Sequence, residues 1–214
     1  SGEITNLPYL RYLGKLDKEI ILSTGMSNNV EIQAAINELT EAGTPLFKIT
    51  ILQCTSEYPS PMNEANLMVI GTFNKEFDVR VGYSDHTLGI ESAIAAVALG
   101  AKVIEKHFTV DKNLPGPDHQ ASLEPSELTN MVKAIRNIEM AMGNGVKNLS
   151  PCEVENVKLA RKSIVAKKEI SIGDIFTSDN LTTKRPGYGI SPMKWDEIIG
   201  QKSKKRFSKD DLID

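Results

Sequence analysis

The runs GYSDHT (82–87) and KVIEKHFT (102–109) decide the fold. Each closes a stretch of β-branched and aromatic residues on a histidine. VRVGY (79–83) leads into Ser84-Asp85-His86, and Lys102 to Thr109 carries Glu105-Lys106-His107. Between them Ile90, Ala93, Ile94 and Val97 recur at helical spacing and form one apolar stripe. Strand, helix and strand in that order imply parallel strands joined by a right-handed crossover.

The same grammar extends in both directions. Upstream, Ile20 to Thr24 reads as a buried strand. Asn28 then stands three residues before Glu31, a capping-box spacing. Ile32, Ala35, Ile36 and Leu39 mark the helix that follows, and Gly43 ends it. KITILQC (48–54) is a further strand, followed by a weaker helical segment over 64–74. Downstream, a loop with Pro115, Gly116 and Pro117 precedes Pro125, which suits a first helical position. Leu128, Met131, Val132, Ile135 and Met142 give that helix its apolar face, and Gly143 closes it. Four βα units make an α/β protein. Periodicity leaves two architectures open, a small open sheet or half of an eight-stranded barrel.

Residues 1–143 therefore read as one domain and 144–156 as a linker rich in Gly, Asn and Lys. Residues 157–214 read as a small, mostly β domain. Ser163 to Lys168 is its first strand, Gly173-Asp174 a turn, and Ser178 to Leu181 a polar turn entering a second strand. No long helix is expected there before a short one near Trp195 to Ile199. Lys204-Lys205-Arg206 reads as a solvated face.

Composition excludes several classes. With 40% hydrophobic and 25% charged residues among 214, the chain is of ordinary globular type. A net charge of −3 gives no pull toward nucleic acid or anionic membranes. No apolar run approaches the ~20 residues that a spanning helix needs. The polar start Ser1-Gly2-Glu3-Ile4-Thr5 is not a signal peptide. Two cysteines, Cys54 and Cys152, make no disulfide framework, so a cytoplasmic location is expected. GxGxxG, Walker, CxxC and HExxH patterns are missing.

In parallel α/β folds the chemistry gathers at the strand C-terminal ends. Here those ends are Ser23-Thr24-Gly25, Cys54-Thr55-Ser56-Glu57-Tyr58-Pro59, Ser84-Asp85-His86 and Glu105-Lys106-His107. His86 and His107 end neighbouring strands, and two imidazoles with oxygen donors nearby suit a divalent metal such as Mn. The competing reading is a pair of hydrogen-bonded histidines. Ser23, Ser56 and Ser84 are placed to bind an anion such as phosphate or to cap the helices that follow. Asp118 and His119 lie in a loop that could be shaped around a substrate. Asp85 and Glu105 either orient the histidines or serve as a helix cap and a packed salt bridge. Strand alternation turns Lys106 to the face opposite His107, which argues against a Schiff-base aldolase.

Many ordered motifs carry a family resemblance: Ser1-Gly2-Glu3 with Asn6 and Pro8, LSTGM (22–26), CTSEYPSP (54–61), GYSDHT, AAVALGAKVIEKHFT (95–109), PGPDH (115–119) and ASLEP (121–125). Together they resemble the N-acetylneuraminate synthases. KRPGYGISPM (184–193) resembles the antifreeze-like (SAF) domain that follows the barrel in that family. The resemblance implies a (β/α)8 TIM-type barrel, of which this chain carries strands five to eight, plus the antifreeze-like domain. The first half of the barrel is then absent, and the fragment alone is expected to be inactive.

The implied reaction joins phosphoenolpyruvate to an N-acylated amino sugar in a likeness of sialic acid synthesis, with Mn or Mg. By the resemblance, His86 and His107 match metal ligands. Ser1, Ser23, Ser56 and Ser84 match positions that bind phosphoenolpyruvate, and Glu3, Tyr58 and Asp118 match residues facing the sugar. Arg185 matches an arginine that reaches across a domain-swapped homodimer to the N-acyl group. The acceptor expected first is N-acetylmannosamine; a diacetamido sugar, as in legionaminate or pseudaminate synthases, is the alternative. An ice-binding role for the β domain is disfavoured by its many Lys and Arg, and an isomerase would not need the serine set.

Overall fold

Ile20, Leu22, Ile49, Ile51, Val81, Tyr83 and Ile104 occupy alternate positions of four strands and pack together against helices. A computed structural model describes residues 1–214 and places these strands as β1 (Ile20–Ser23), β2 (Ile49–Cys54), β3 (Arg80–Asp85) and β4 (Ile104–Lys106). They lie side by side in the order β1-β2-β3-β4, all parallel. The apolar set is one face of the sheet, as a side-chain period of two requires. Helices α1 (Leu7–Gly14), α2 (Asn29–Ala42), α3 (Val69–Glu76) and α4 (Glu91–Ala98) follow the chain order, and α5 (Pro125–Met142) packs on α4. Ile32, Ala35, Ile36 and Leu39 of α2 and Phe73 of α3 join the strand residues in one core. Met131 and Ile135 of α5 form a second cluster with Ala93 and Leu123. The opposite face carries Ser23, Cys54, Ser84 and Glu105, with Leu52 its buried apolar residue. The result is a curled half-barrel covered by helices on one side.

The helix ends follow local chemistry. The Asn28 side chain accepts from the Val30 and Glu31 amides, and Glu31 returns a bond to the Asn28 amide. Gly43 closes α2 at φ +133°, a conformation that costs a side-chain-bearing residue dearly. Three expectations change. The segment Leu7–Gly14, left unassigned above, is helical, capped by Asn6 with Pro8 in its first turn. The weak helix begins later, at Val69, after a 3-10 turn over Met62–Glu64. The fourth strand shrinks to Ile104–Lys106, because beyond it Phe108 bridges to Leu123 of the returning loop rather than to β3.

Compactness divides the chain into Ser1–Gly145 and Val146–Asp214. The stretch 144–156, expected to be a linker, is partly helical. Pro151–Glu153 is a 3-10 turn and α6 (Val154–Ala160) follows it, so the second unit is not helix-free before Trp195. A Ser150–Glu153 capping box initiates this turn. Strands β5 (Ser163–Ala166) and β6 (Leu181–Lys184) pair antiparallel, and α7 (Trp195–Ile198) is the short helix expected. Ile164, Ala166, Ile170, Phe176, Leu181, Phe207 and Ile213 form this unit's core. Three loops close alike: Asp174, Asn180 and Asp211 each accept the amide three residues upstream. No helix of the chain is long and apolar enough to cross a membrane.

Candidate active site

The uncovered face of the sheet and the strand ends above it bring most of the singled-out residues together. Thr24 sits just past β1, where its amide and its hydroxyl both donate to the Leu52 carbonyl, at 3.0 and 2.8 Å. This ties the end of β1 to β2 and sets Gly25 beside Cys54. A Cβ on Gly25 would stand 2.2 Å from Ser56 Oγ, 2.9 Å from Ser1 Oγ and 3.3 Å from Cys54 Sγ. Only glycine leaves that space free. Ser56 Oγ is buried with no hydrogen-bond partner. Ser1 donates to Cys54 Sγ at 3.8 Å. Two hydroxyls and a thiol thus line one small cradle, and one hydroxyl is desolvated and unsatisfied, a costly state that an acceptor anion would relieve.

Cys54 links the cradle to the histidines. Its sulfur lies 3.8 Å from His86 Nδ1. That nitrogen is 2.7 Å from the Thr55 carbonyl, which can only accept, so Nδ1 carries a proton. In the neutral ring, Nε2 then holds the lone pair. Ser84 Oγ lies 3.3 Å from this Nε2 and donates to Glu105 Oε1 at 2.6 Å. Burial presses His86 toward its neutral form, but Cys54, the Thr55 carbonyl and Glu105 outweigh it and raise its pKa above the ordinary histidine value. Burial likewise pushes the Cys54 thiol up, and His86, Ser1 and Ser84 together overcome this and lower it.

His107 meets His86 edge to face, with ring centroids 5.3 Å apart. Tyr58 lies against both rings, at 4.1 and 5.2 Å. Burial, with the charges of Cys54, Asp118 and Glu105, raises its phenol pKa. Asp118 Oδ2 is 3.9 Å from His107 Nδ1. A neutral His86 held at Nδ1 by a carbonyl has the form common among metal-ligating histidines. The donor chemistry therefore suits a divalent ion, although no three His, Cys, Asp or Glu side chains converge as a complete ligand set.

Other residues go elsewhere. Ser23 stands at the end of β1, half-buried on the same face. Glu3 is exposed and accepts from Asn6. Arg185, in the second unit, is exposed and donates through Nε to the Ala160 carbonyl at 2.9 Å. His119 lies 2.8 Å from Thr109 Oγ1 and packs under Gly116, which makes it part of the loop's own structure. Asp85 bonds neither histidine ring. It faces the helices, paired with Lys106 at 2.9 Å, so Lys106 also turns away from His107. Glu105 holds Ser84, and through it the edge of His86. Cys54 was quoted in the sequence only as a strand end, yet it touches both halves of the site. Its place on the same face as Ser84, set by strand alternation, was the signal available.

The NeuB family matches residues 1–147 and the SAF domain residues 161–214. The N,N'-diacetyllegionaminic acid synthase of Campylobacter jejuni is 55% identical over 213 residues, covering 100% of this chain and 64% of its own length. The human N-acetylneuraminate-9-phosphate synthase is 40% identical, covering 100% of this chain and 59% of its own. A sialic acid synthetase from Leptospira borgpetersenii, solved with citrate, superposes with TM-score 0.67 at 35% identity, over 73% of this chain and 54% of that one. The chain thus spans under two thirds of the length of these relatives.

Proposed function

The chain belongs to the NeuB family, and on that premise we propose that it is part of a synthase that condenses phosphoenolpyruvate with an N-acylated amino sugar. The observation that carries this reading is the cradle at Gly25, with its unsatisfied Ser56 hydroxyl, beside the His86–His107 pair. Ser1, Ser56 and Ser84 would hold the phosphate and carboxylate of phosphoenolpyruvate, with Ser23 at the margin. Tyr58, Asp118 and Glu3 would face the sugar, and Arg185 its N-acyl group, in a homodimer that exchanges second units. The expected architecture is a closed (β/α)8 barrel that includes β1 to β4.

In the proposed reaction, C3 of phosphoenolpyruvate forms a bond to the sugar aldehyde carbon, whose oxygen takes a proton. The electron-poor C2 then accepts water, and phosphate leaves with cleavage of the C2–O bond. Fixed dipoles and carboxylates aimed at C2 stabilise the cation better than water, since they need no reorganisation. Glu105, which accepts from Ser84 on the uncovered face, offers such a carboxylate. A Mn or Mg ion, when bound at His86 and His107, supplies Lewis acidity toward the aldehyde oxygen.

Two acceptors are in view, N-acetylmannosamine and a diacetamido sugar. The 55% identity to a diacetyllegionaminate synthase supports the second, and the likeness to N-acetylneuraminate-9-phosphate and sialic acid synthases supports the first. The test is phosphate release by the full-length protein with phosphoenolpyruvate, Mn and each sugar in turn. Release that needs both sugar and metal, and that falls about 10³-fold (about 4 kcal/mol) in His86→Ala and His107→Ala, is expected. Silence with both sugars sinks the proposal.

A further inference from the structure

Asp85 directly precedes His86, and Lys106 directly precedes His107. The two are register partners across β3 and β4. Their side chains meet on the helix-covered face as an ion pair of 2.9 Å, and they are 0% and 3% exposed. Most further bonds of the pair go to Thr87, the residue just after His86. Asp85 Oδ1 accepts the Thr87 amide at 2.9 Å and the Thr87 hydroxyl at 2.7 Å. Lys106 Nζ donates to the Thr87 carbonyl as well. The His86 carbonyl itself accepts the Ser60 amide at 2.8 Å, and the His107 carbonyl the Leu123 amide at 2.8 Å. The histidine peptides are therefore held at both ends, and the buried pair ties the two strand ends on the helix-covered face as the Ser84–Glu105 bond does on the open one.

We propose that the Asp85–Lys106 pair is a positioning device that fixes, from the far side of the sheet, the separation and facing of His86 and His107. A buried ion pair is weak evidence for stability, because desolvation offsets most of its attraction, and apolar isosteres often replace it without loss. Geometry is what it supplies here. The pair joins neighbouring strands at the last paired position of β4, where the ladder gives out and the chain turns to Leu123. Near the histidines the two strand ends are otherwise tied by the Ser84–Glu105 bond on the open face.

The role as regards metal rests on the function proposed above, so the test uses a readout that does not. Asp85→Leu/Lys106→Met removes both charges together, so neither is left unpaired, and it frees the Thr87 groups that the pair holds. The full-length protein, metal-free, is followed by the imidazole NMR resonances of His86 and His107, assigned with His86→Ala and His107→Ala. Expected in the folded double variant are shifted or exchange-broadened resonances of both rings, with Mn affinity, read by electron paramagnetic resonance, at least tenfold weaker. Asp85→Glu keeps the charge but moves it by one methylene, and is expected to shift the same two resonances; it decides the matter if the double variant does not fold. Wild-type resonances, sharp and unmoved, in the folded variant overturn the proposal whatever the metal does. Wild-type protein that takes no Mn at the histidines overturns the metal reading instead, while the resonances still judge the positioning role.

Discussion

The two faces of the four-stranded sheet are made from the same strands and differ in almost everything else. One face carries Ile49, Ile51, Val81 and Tyr83, packed under helices and nearly solvent-free. The other carries Cys54, Ser84 and Glu105 and leads to the cradle and the histidines. Neighbouring residues of one strand thus have opposite duties. Asp85 belongs to the packed face and His86 to the open one. Stability and chemistry can therefore be altered separately, except where the buried Asp85–Lys106 pair is proposed to couple the two faces.

The largest effect expected on stability is on the packed side. Ile51 is fully buried in the main core. Ile51→Ala should cost about 3 kcal/mol of stability, from lost transfer energy plus an unfilled cavity. Denaturant unfolding measures this directly. At temperatures where the variant is folded, phosphate release per folded molecule should stay within about twofold, a difference of under ~0.5 kcal/mol. A large loss of activity without a loss of stability would show that the two faces are not separable.

On the open face the order reverses. Gly25→Ala places a methyl 2.2 Å from Ser56 Oγ and fills the cradle. Activity should drop about 10²-fold (about 2.7 kcal/mol), the scale of a misplacement near 1 Å. Ser56→Ala is milder, because it deletes one donor and leaves the space. Its effect should be a KM for phosphoenolpyruvate raised about tenfold (about 1.4 kcal/mol) with the unfolding midpoint unchanged or raised, since the hydroxyl it removes is unsatisfied. Steady-state kinetics beside thermal unfolding separates these outcomes. A lowered midpoint with an unchanged KM would assign Ser56 to packing.

How much of this was legible depended on the range of the interactions. A period of two along β2 and β3, and the i, i+3, i+4 rows of α2 and α4, are local, so strands, helices and the Asn28 and Gly43 caps could be read directly. Helix α1 escaped although Asn6 and Pro8 announce it, because its eight residues carry too short a stripe to stand out. The end of β4 could not be read, since Leu123 competes for Phe108 from outside the strand. Asp85 is the instructive site residue. Its place beside a histidine suggested a carboxylate that steers the ring, but alternation sends it to the other face, where Lys106 is waiting. The convergence of Ser1, Cys54 and Ser56 on Gly25 joins three segments distant in sequence, and no spacing rule reveals it. In the second unit only two four-residue strands pair, and isolated bridges join the rest, so its core residues follow no period.

The smallest effect sharpens the comparison from the rim of the packed side. Glu127 in the first turn of α5 bonds Lys112 Nζ at 2.6 Å and returns a bond to the Glu124 amide at 2.9 Å. The Lys112 bond, followed by the Glu124 amide, lowers its pKa below the ordinary 4.5. A carboxylate whose folded pKa is lowered stabilises the protein above its unfolded value, and that stabilisation disappears as the pH falls through the folded value. Glu127→Gln keeps the capping bond, because glutamine serves a capping box as well as glutamate. What it removes is the charge opposite Lys112. Glu127 is more than a third exposed, so solvent screening holds the loss at neutral pH to about 0.5 kcal/mol. Unfolding measured from pH 7 down should show the variant less stable at neutral pH, with the gap closing below pH 4.5 and catalytic rates unchanged throughout. A gap that persists in acid would mean that glutamine has disturbed the cap itself, and the charge on Lys112 would then have no part in holding α5 against the sheet's packed side.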